Sequence, residues 1–149
     1  MFRGRYPHSI DPKGRVSVPA KFRDALARDY EGSLDLIVVP NDRALEVHPL
    51  REWEAIETKV RQSASLFDEM IRRTQRLYLS RAREVALDEA GRVLLSPEVR
   101  QDAMLVKDVL IIGEGTHFEI WDRQKFDEYE RGEKHTLPTV FEKLASLGV

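Results

Sequence analysis

Cysteine is absent from the 149-residue chain. Its absence excludes disulfides and thiolate metal sites and suits a reducing compartment. Long apolar runs are missing too: the longest, such as Val109 to Ile112, are far too short to span a bilayer. No apolar run follows Met1-Phe2-Arg3-Gly4-Arg5, so a secretory signal is not expected. The histidines, His8, His48, His117 and His135, show no metal-ligand spacing. Gly113-Glu114-Gly115 lacks the rest of any phosphate-binding fingerprint. Asp11 and Asp88 could be imagined as paired acid–base carboxylates, but nothing supplies a nucleophile, a metal set or a cofactor loop beside them. The expectation is a soluble, intracellular protein that is not an enzyme, with no cofactor, no metal, no membrane and no small-molecule substrate.

Apolar residues make up 42 % of the chain, enough to bury a core, and the length fits one ordinary domain or two very small ones. Charged residues make up 34 %, above the typical quarter, yet the net charge is only -2. The charges are unevenly placed. Met1 to Arg28 holds Arg3, Arg5, Lys13, Arg15, Lys21, Arg23 and Arg28 against Asp11 and Asp24. Arg72 to Arg83 holds five arginines and no acid, whereas Glu114, Glu119, Asp122, Asp127, Glu128, Glu130 and Glu133 fall late. The pattern reads either as one basic face on a near-neutral molecule or as scattered solvated charges.

An internal repeat organises the chain. Ile10-Asp11-Pro12-Lys13-Gly14-Arg15-Val16-Ser17-Val18-Pro19 matches Leu87-Asp88-Glu89-Ala90-Gly91-Arg92-Val93-Leu94-Leu95-Ser96 at a shift of 77 positions, continuing through Phe22-Arg23 and Val99-Arg100. Further on the shift is 73, pairing Val38-Val39 with Ile111-Ile112, Leu45-Glu46-Val47 with Phe118-Glu119-Ile120, and Trp53 with Phe126. The second copy is therefore four residues shorter between Arg23 and Val38.

Each copy predicts a strand ending at Ile10 or Leu87, a turn with Gly14 or Gly91, and a second strand over Arg15 to Val18 or Arg92 to Leu95. Pro19 opens a short helix in one copy; in the other Ser96 is the natural cap and Pro97 the first helical residue. A hairpin follows, turning at Pro40-Asn41-Asp42-Arg43 or at Gly113-Glu114-Gly115-Thr116. Helical spacing then links Leu50, Trp53, Ile56 and Val60, and again Leu66, Phe67, Met70, Ile71, Thr74 and Leu77, with Arg72, Arg73 and Arg76 on the opposite face. The second copy closes with Phe126 and Tyr129, and an amphipathic tail with Phe141 and Leu144 is expected to be partly mobile or docked on a neighbour. One copy has too few strands to bury both faces. Two copies paired into one closed barrel would remove free sheet edges. The expected fold class is thus α+β, mainly β: a pseudo-two-fold β-barrel with added helices. The expected divisions are a first repeat over 1–53, a helical connection over 54–80, a second repeat over 81–129 and a tail over 130–149.

Met1-Phe2-Arg3-Gly4, the two Asp-x-x-Gly-Arg segments and Leu45-Glu46-Val47-His48-Pro49-Leu50-Arg51-Glu52-Trp53 closely resemble the MraZ family, over nearly the whole chain from Met1 to about Tyr129. The resemblance implies tandem SpoVT-AbrB-type units in a swapped-hairpin barrel. It also implies a bacterial, cytoplasmic, nucleoid-associated regulator that assembles into closed homo-oligomeric rings. Such proteins bind short direct repeats in double-stranded DNA upstream of the division and cell-wall gene cluster, and can repress it. The family's Asp-x-x-x-Arg element falls on Asp11 with Arg15 and on Asp88 with Arg92, its basic residues being implicated in DNA contact. Ala90 stands where the first copy has Lys13, so the first copy is the expected dominant DNA-binding half.

The candidate DNA-contact residues are Arg3, Arg5, Lys13, Arg15 and Arg92. Arg15 leads, because a guanidinium binds phosphate or reads guanine bidentately; the other reading is an internal pair with Asp11. Asp11, Gly14, Asp88 and Gly91 are read as turn-shaping, since an anion facing phosphate would repel it. Arg72, Arg73 and Arg76 read as a solvated helix face, a subunit contact or a second electrostatic contributor. Trp53, Phe67, Tyr78 and Trp121 read as core or interface. Two functional readings compete: a sequence-specific DNA-binding regulator acting through several weak sites on one oligomer, and a nucleoid-associated scaffolding ring that touches DNA incidentally.

Overall fold

Which strands pair is set by the duplication, and which residues face inward by the period-two alternation within each strand. A computed structural model describes residues 1–63, 65 and 67–149. The first copy contributes β1 (Arg5–Ser9), β2 (Arg15–Ser17), β3 (Asp35–Pro40) and β4 (Leu45–Pro49); the second contributes β5 (Arg83–Ala86), β6 (Arg92–Leu94), β7 (Asp108–Gly113) and β8 (Phe118–Asp122). The helices are α1 (Ala20–Asp29), α2 (Leu50–Ser63), α3 (Glu69–Leu77), α4 (Pro97–Asp102), α5 (Arg123–Glu133) and α6 (Leu137–Ser146). The fold is α+β, built from the two tandem repeats; with the added helices, helical residues outnumber strand residues among those described, so the expected β majority does not hold.

The hydrogen-bonded ladders form a six-stranded sheet, β1-β7-β8-β4-β3-β5, and a two-stranded ribbon, β2-β6. Exchanging the copies reverses the strand order of the large sheet onto itself, so a pseudo-two-fold axis passes through both sheets. It meets the ribbon at Val16 opposite Val93 and the large sheet at Glu46 opposite Glu119. Each copy lends its first strand to the other: β1 pairs with β7, and β5 with β3. The ladders do not themselves join the ribbon to the sheet; the ribbon packs over the sheet's inner face instead. Val16 and Val93 enter one core with Leu36, Val38, Leu45, Val47, Ile111, Phe118 and Ile120.

The four-residue difference between the copies has a simple location. α1 has 10 residues and α4 has 6, so the second copy lacks about one helical turn while the flanking strands keep their register. Ser96 caps α4, its Oγ accepting from the Val99 N–H at 3.2 Å, with Pro97 in the first turn as the sequence predicts. Both predicted hairpins form. Asn41 Oδ1 accepts from the Arg43 and Ala44 N–H groups in the first hairpin, and the Glu114 N–H donates to the His117 carbonyl in the second.

On the outer face of the large sheet, α2 through Trp53 and the Tyr78–Ala82 segment cover Ile37 and Val39, while α5 covers Leu110, Ile112 and Trp121 through Phe126. Phe67 and Leu66 were expected on the apolar face of the helix after α2. Leu66 lies outside the described residues, and Phe67 precedes the Asp68 cap of α3 with 88 % of its surface exposed. The tail forms α6, whose Leu137, Val140, Phe141 and Leu144 remain exposed.

The aromatic residues Phe2, Phe22 and Phe118 meet edge-on or tilted, with centroids 5.1–5.2 Å apart, and all are essentially inaccessible. Phe118→Ala should therefore cost about 3–5 kcal/mol in urea unfolding, whereas Val106→Ala, at a site 77 % exposed, should stay within about 0.5 kcal/mol.

Candidate nucleic-acid interface

The Asp-x-x-Gly-Arg segments form two matching turns, one leading into each ribbon strand. In the first, the Asp11 N–H donates to the Arg15 carbonyl and the Gly14 N–H donates to the Asp11 carbonyl, each at 2.9 Å. Asp11 Oδ1 accepts from the Lys13 and Arg15 N–H groups at 2.9 Å, and Oδ2 accepts from Arg15 Nε at 2.7 Å. The second turn repeats this: Asp88 Oδ1 takes the Arg92 N–H at 2.9 Å and Oδ2 takes Arg92 Nε at 3.0 Å. The backbone N–H of Arg15, and then the Arg15 side chain and the backbone N–H of Lys13, hold the Asp11 carboxyl below its ordinary 3.8 against a smaller opposing effect of desolvation. Asp88 is lowered in the same way, first by the Arg92 backbone.

This geometry joins the two readings of Arg15. The pair with Asp11 uses Nε alone, and none of the described hydrogen bonds uses either Nη group. The same is true of Arg92. Each aspartate thus fixes the direction of a guanidinium whose two terminal NH2 groups remain available, the arrangement that bidentate recognition of phosphate or guanine requires. In the ribbon, Val16 and Val93 point into the core, so Arg15, Ser17, Arg92 and Leu94 share the outward face. Arg15 is opposite Leu94 and Arg92 opposite Ser17, which makes the two arginines diagonal neighbours, about 7–8 Å apart by ladder geometry.

Two further basic residues reach this region from the other copy. Arg23 of α1 packs over Gly91, and Arg100 of α4 packs over Gly14. In the sequence they are repeat-equivalent positions, and Arg23 also belongs to the basic segment Met1 to Arg28. Their signal in the sequence is that the matched pair is basic in both copies; what was missing is that each serves the other copy's turn. Gly14 and Gly91 adopt φ of +86° and +74°. A methyl group at Gly14 would lie 2.8 Å from the Leu95 carbonyl oxygen, while at Gly91 it would meet the flexible Arg23 side chain at 2.6 Å.

The remaining basic candidates lie elsewhere. Arg5 pairs through Nη1 with Glu130, and its guanidinium lies 4.9 Å above the Phe126 ring, so it is engaged by α5 on the sheet's outer side. Arg3 is exposed at the end of β1 remote from the Asp11 turn. Arg72, Arg73 and Arg76 lie on the exposed α3, where Arg73 pairs with Glu69 at 3.1 Å. Trp53, Tyr78 and Trp121 are packing residues of the outer face, whereas Phe67 is exposed.

Across the molecule from the ribbon, the fold also brings together residues whose spacing showed no relation. His48 and His117 stack with centroids 4.6 Å apart, and His48 Nε2 lies 2.9 Å from Glu46 Oε2. Burial works to raise the Glu46 pKa, but hydrogen bonds from His48, Tyr78 and Asn41 outweigh it and hold the carboxyl at about 2. Burial pushes His117 down and Glu119 up.

Two successive matches to one family model, described as "MraZ protein, putative antitoxin-like", cover residues 1–77 and 78–145. The chain is 38 % identical over 149 residues to a protein of Acetivibrio thermocellus named "Transcriptional regulator MraZ", covering all of both chains. A protein of the same name from Methylobacillus flagellatus is 41 % identical over 146 residues, covering 95 % of this chain and 97 % of that one. Another from Nitrosomonas europaea is 42 % identical over 127 residues, covering 85 % and 84 %. No helix among the described residues is long and apolar enough to cross a membrane.

Both glycine turns should be strained by a side chain, at about 1–3 kcal/mol for the positive φ alone. Gly14→Ala should lower the thermal midpoint more than Gly91→Ala, because its obstacle is backbone rather than a movable side chain. Carboxyl-carbon NMR titration should find Asp11 and Asp88 ionising below 3.8. Their folded pKa values are depressed, so the stability they contribute is present above the ordinary aspartate pKa and is lost as pH falls through the folded value.

Proposed function

The chain belongs to the MraZ family, a family of transcriptional regulators rather than enzymes, and from that premise we propose that it binds double-stranded DNA through the β2–β6 ribbon. The observation that carries this reading is the paired Asp–Arg turn. Asp11 and Asp88 orient Arg15 and Arg92 on one exposed face and leave their Nη groups unused. Lys13, Arg23 and Arg100 add positive charge around them. The first turn carries Pro12-Lys13 where the second carries Glu89-Ala90, so the first half is the stronger contributor. Arg3 and Arg5 are assigned no direct part in this contact, Arg5 because Glu130 and Phe126 already engage it.

A few cations on a chain of net charge -2 make a weak site. Affinity then comes from several ribbons on one homo-oligomer engaging repeated promoter elements, since linked sites raise effective concentration. Apolar residues left uncovered on α3 and α6, among them Met70, Leu77, Phe141 and Leu144, support self-association. The proposed target is the promoter of the division and cell-wall gene cluster, bound by a ring of subunits in the nucleoid. The two repeats over 1–53 and 81–129 would be the DNA-binding body, with the helical connection over 54–80 and the tail over 130–149 serving assembly.

Gel retardation on the DNA upstream of the protein's own gene tests the reading. Arg15→Ala should weaken binding at least about tenfold and reduce the slope of log K against log salt by about 1, with circular dichroism and oligomer size unchanged. Arg92→Ala should have the smaller effect. Undiminished binding by Arg15→Ala would sink the assignment, and equal affinity for repeat and scrambled DNA would favour the scaffolding ring instead.

A further inference from the structure

Three side chains on the outer face of the large sheet, unused by the DNA-binding reading, converge near the pseudo-two-fold axis. We propose that Glu46, His48 and His117 form a binding site for a divalent transition-metal ion of the zinc type, joining the two repeats. Among the described residues they are the one group of three His, Cys, Asp or Glu side chains whose ligand atoms approach closely, all within 4.8 Å of one another. Two imidazole nitrogens and a carboxylate oxygen are a donor set for zinc and its neighbours, whereas calcium and magnesium prefer oxygen alone.

Part of the coordination geometry is already built. Two ligands held about 2.0–2.2 Å from a tetrahedral ion stand about 3.4 Å apart. His48 Nε2 and Glu46 Oε2 are 2.9 Å apart, so a small separation admits the ion between them. Outer partners orient the carboxylate: Asn41 Nδ2 donates to Oε1 at 2.9 Å, and the Tyr78 hydroxyl donates to Oε2. Such supports are regular features of metal sites.

His117 must move. Its ring lies within 11° of parallel to that of His48, so the in-plane lone pairs of the two rings cannot converge until His117 tilts out of the stack. None of the described hydrogen bonds holds that ring. It stands just before β8 and lines a cavity of 930 Å³, which leaves room for the rotation.

Charge at the site favours a cation. Glu46 lies directly opposite Glu119 in the β4–β8 ladder, and both are only partly exposed. Like charges placed opposite each other on neighbouring strands repel, and a divalent ion would relieve this; Glu119 or a water from the cavity would complete the coordination. The duplication fixes the number of sites. The repeat-equivalents of His48 and His117 are Trp121 and Ala44, so the chain carries one such centre and not two.

The test uses full-length, tag-free protein, stripped with chelator and dialysed against Zn²⁺, with bound metal counted by atomic emission and Co²⁺ absorption reporting the coordination. One Zn²⁺ per chain is expected, with a raised thermal midpoint because the ion binds only the folded state. His117→Ala should weaken binding at least tenfold while circular dichroism is unchanged, and His48→Gln should do the same. His8→Ala and His135→Ala should leave binding intact. Because His48 is buried, His117→Ala is the decisive variant. Failure of the wild type to take up stoichiometric Zn²⁺, or uptake undiminished in His117→Ala, would overturn the proposal. No readout involves DNA, so either result leaves the regulator reading to its own test.

Discussion

Neither copy of the repeat can complete its own sheet, and the rest of the molecule follows from that. β1 has its ladder on β7 and β5 has its ladder on β3, while β2 and β6 have only each other. The main core is filled by matched residues from both halves, with Val16 and Val93 touching at the axis. Breaking the exchange would expose the edges of β3 and β7 together with the apolar face beneath them, so the duplicated sequence behaves as one folding body.

The same exchange builds the basic ribbon. Two turns of matching geometry from distant parts of the chain arrive side by side because β2 pairs with β6, and each turn is backed by an arginine from the opposite copy. The aspartates lie among these cations without cancelling them. Each carboxylate satisfies the backbone of its turn and one guanidinium nitrogen, and thereby aims the remaining nitrogens outward. The carboxylate's net effect is on direction more than on charge, which is how an acidic residue can belong to the proposed DNA-binding ribbon.

Much of this was legible in the sequence because it is written twice. The shift from 77 to 73 locates a missing turn of helix, and the structure finds that turn in the difference between α1 and α4. The hairpins and the Ser96 cap follow from local pattern alone. What escaped was non-local. No spacing rule sends Arg5 to Glu130, 125 residues away, or sets Arg23 on Gly91. Nor could spacing join His48 to His117: they occupy non-equivalent positions in the two copies and meet only because β4 and β8 pair across the axis. Reading the repeat as symmetric hides the places where the copies have diverged, and those are where the chemistry differs.

The β1–β7 ladder also imposes an order in time. Ser9 and its partner Asp108 are 99 residues apart, and a ribosome adds about 5–20 residues per second. The first strand therefore waits on the order of five to twenty seconds for a partner that does not yet exist, and β3 waits a shorter interval for β5. Through that interval the nascent chain carries unsatisfied strand edges of the kind that seed aggregation. Final assembly has to await β7, and each exchanged ladder must close a long loop of chain before it can form.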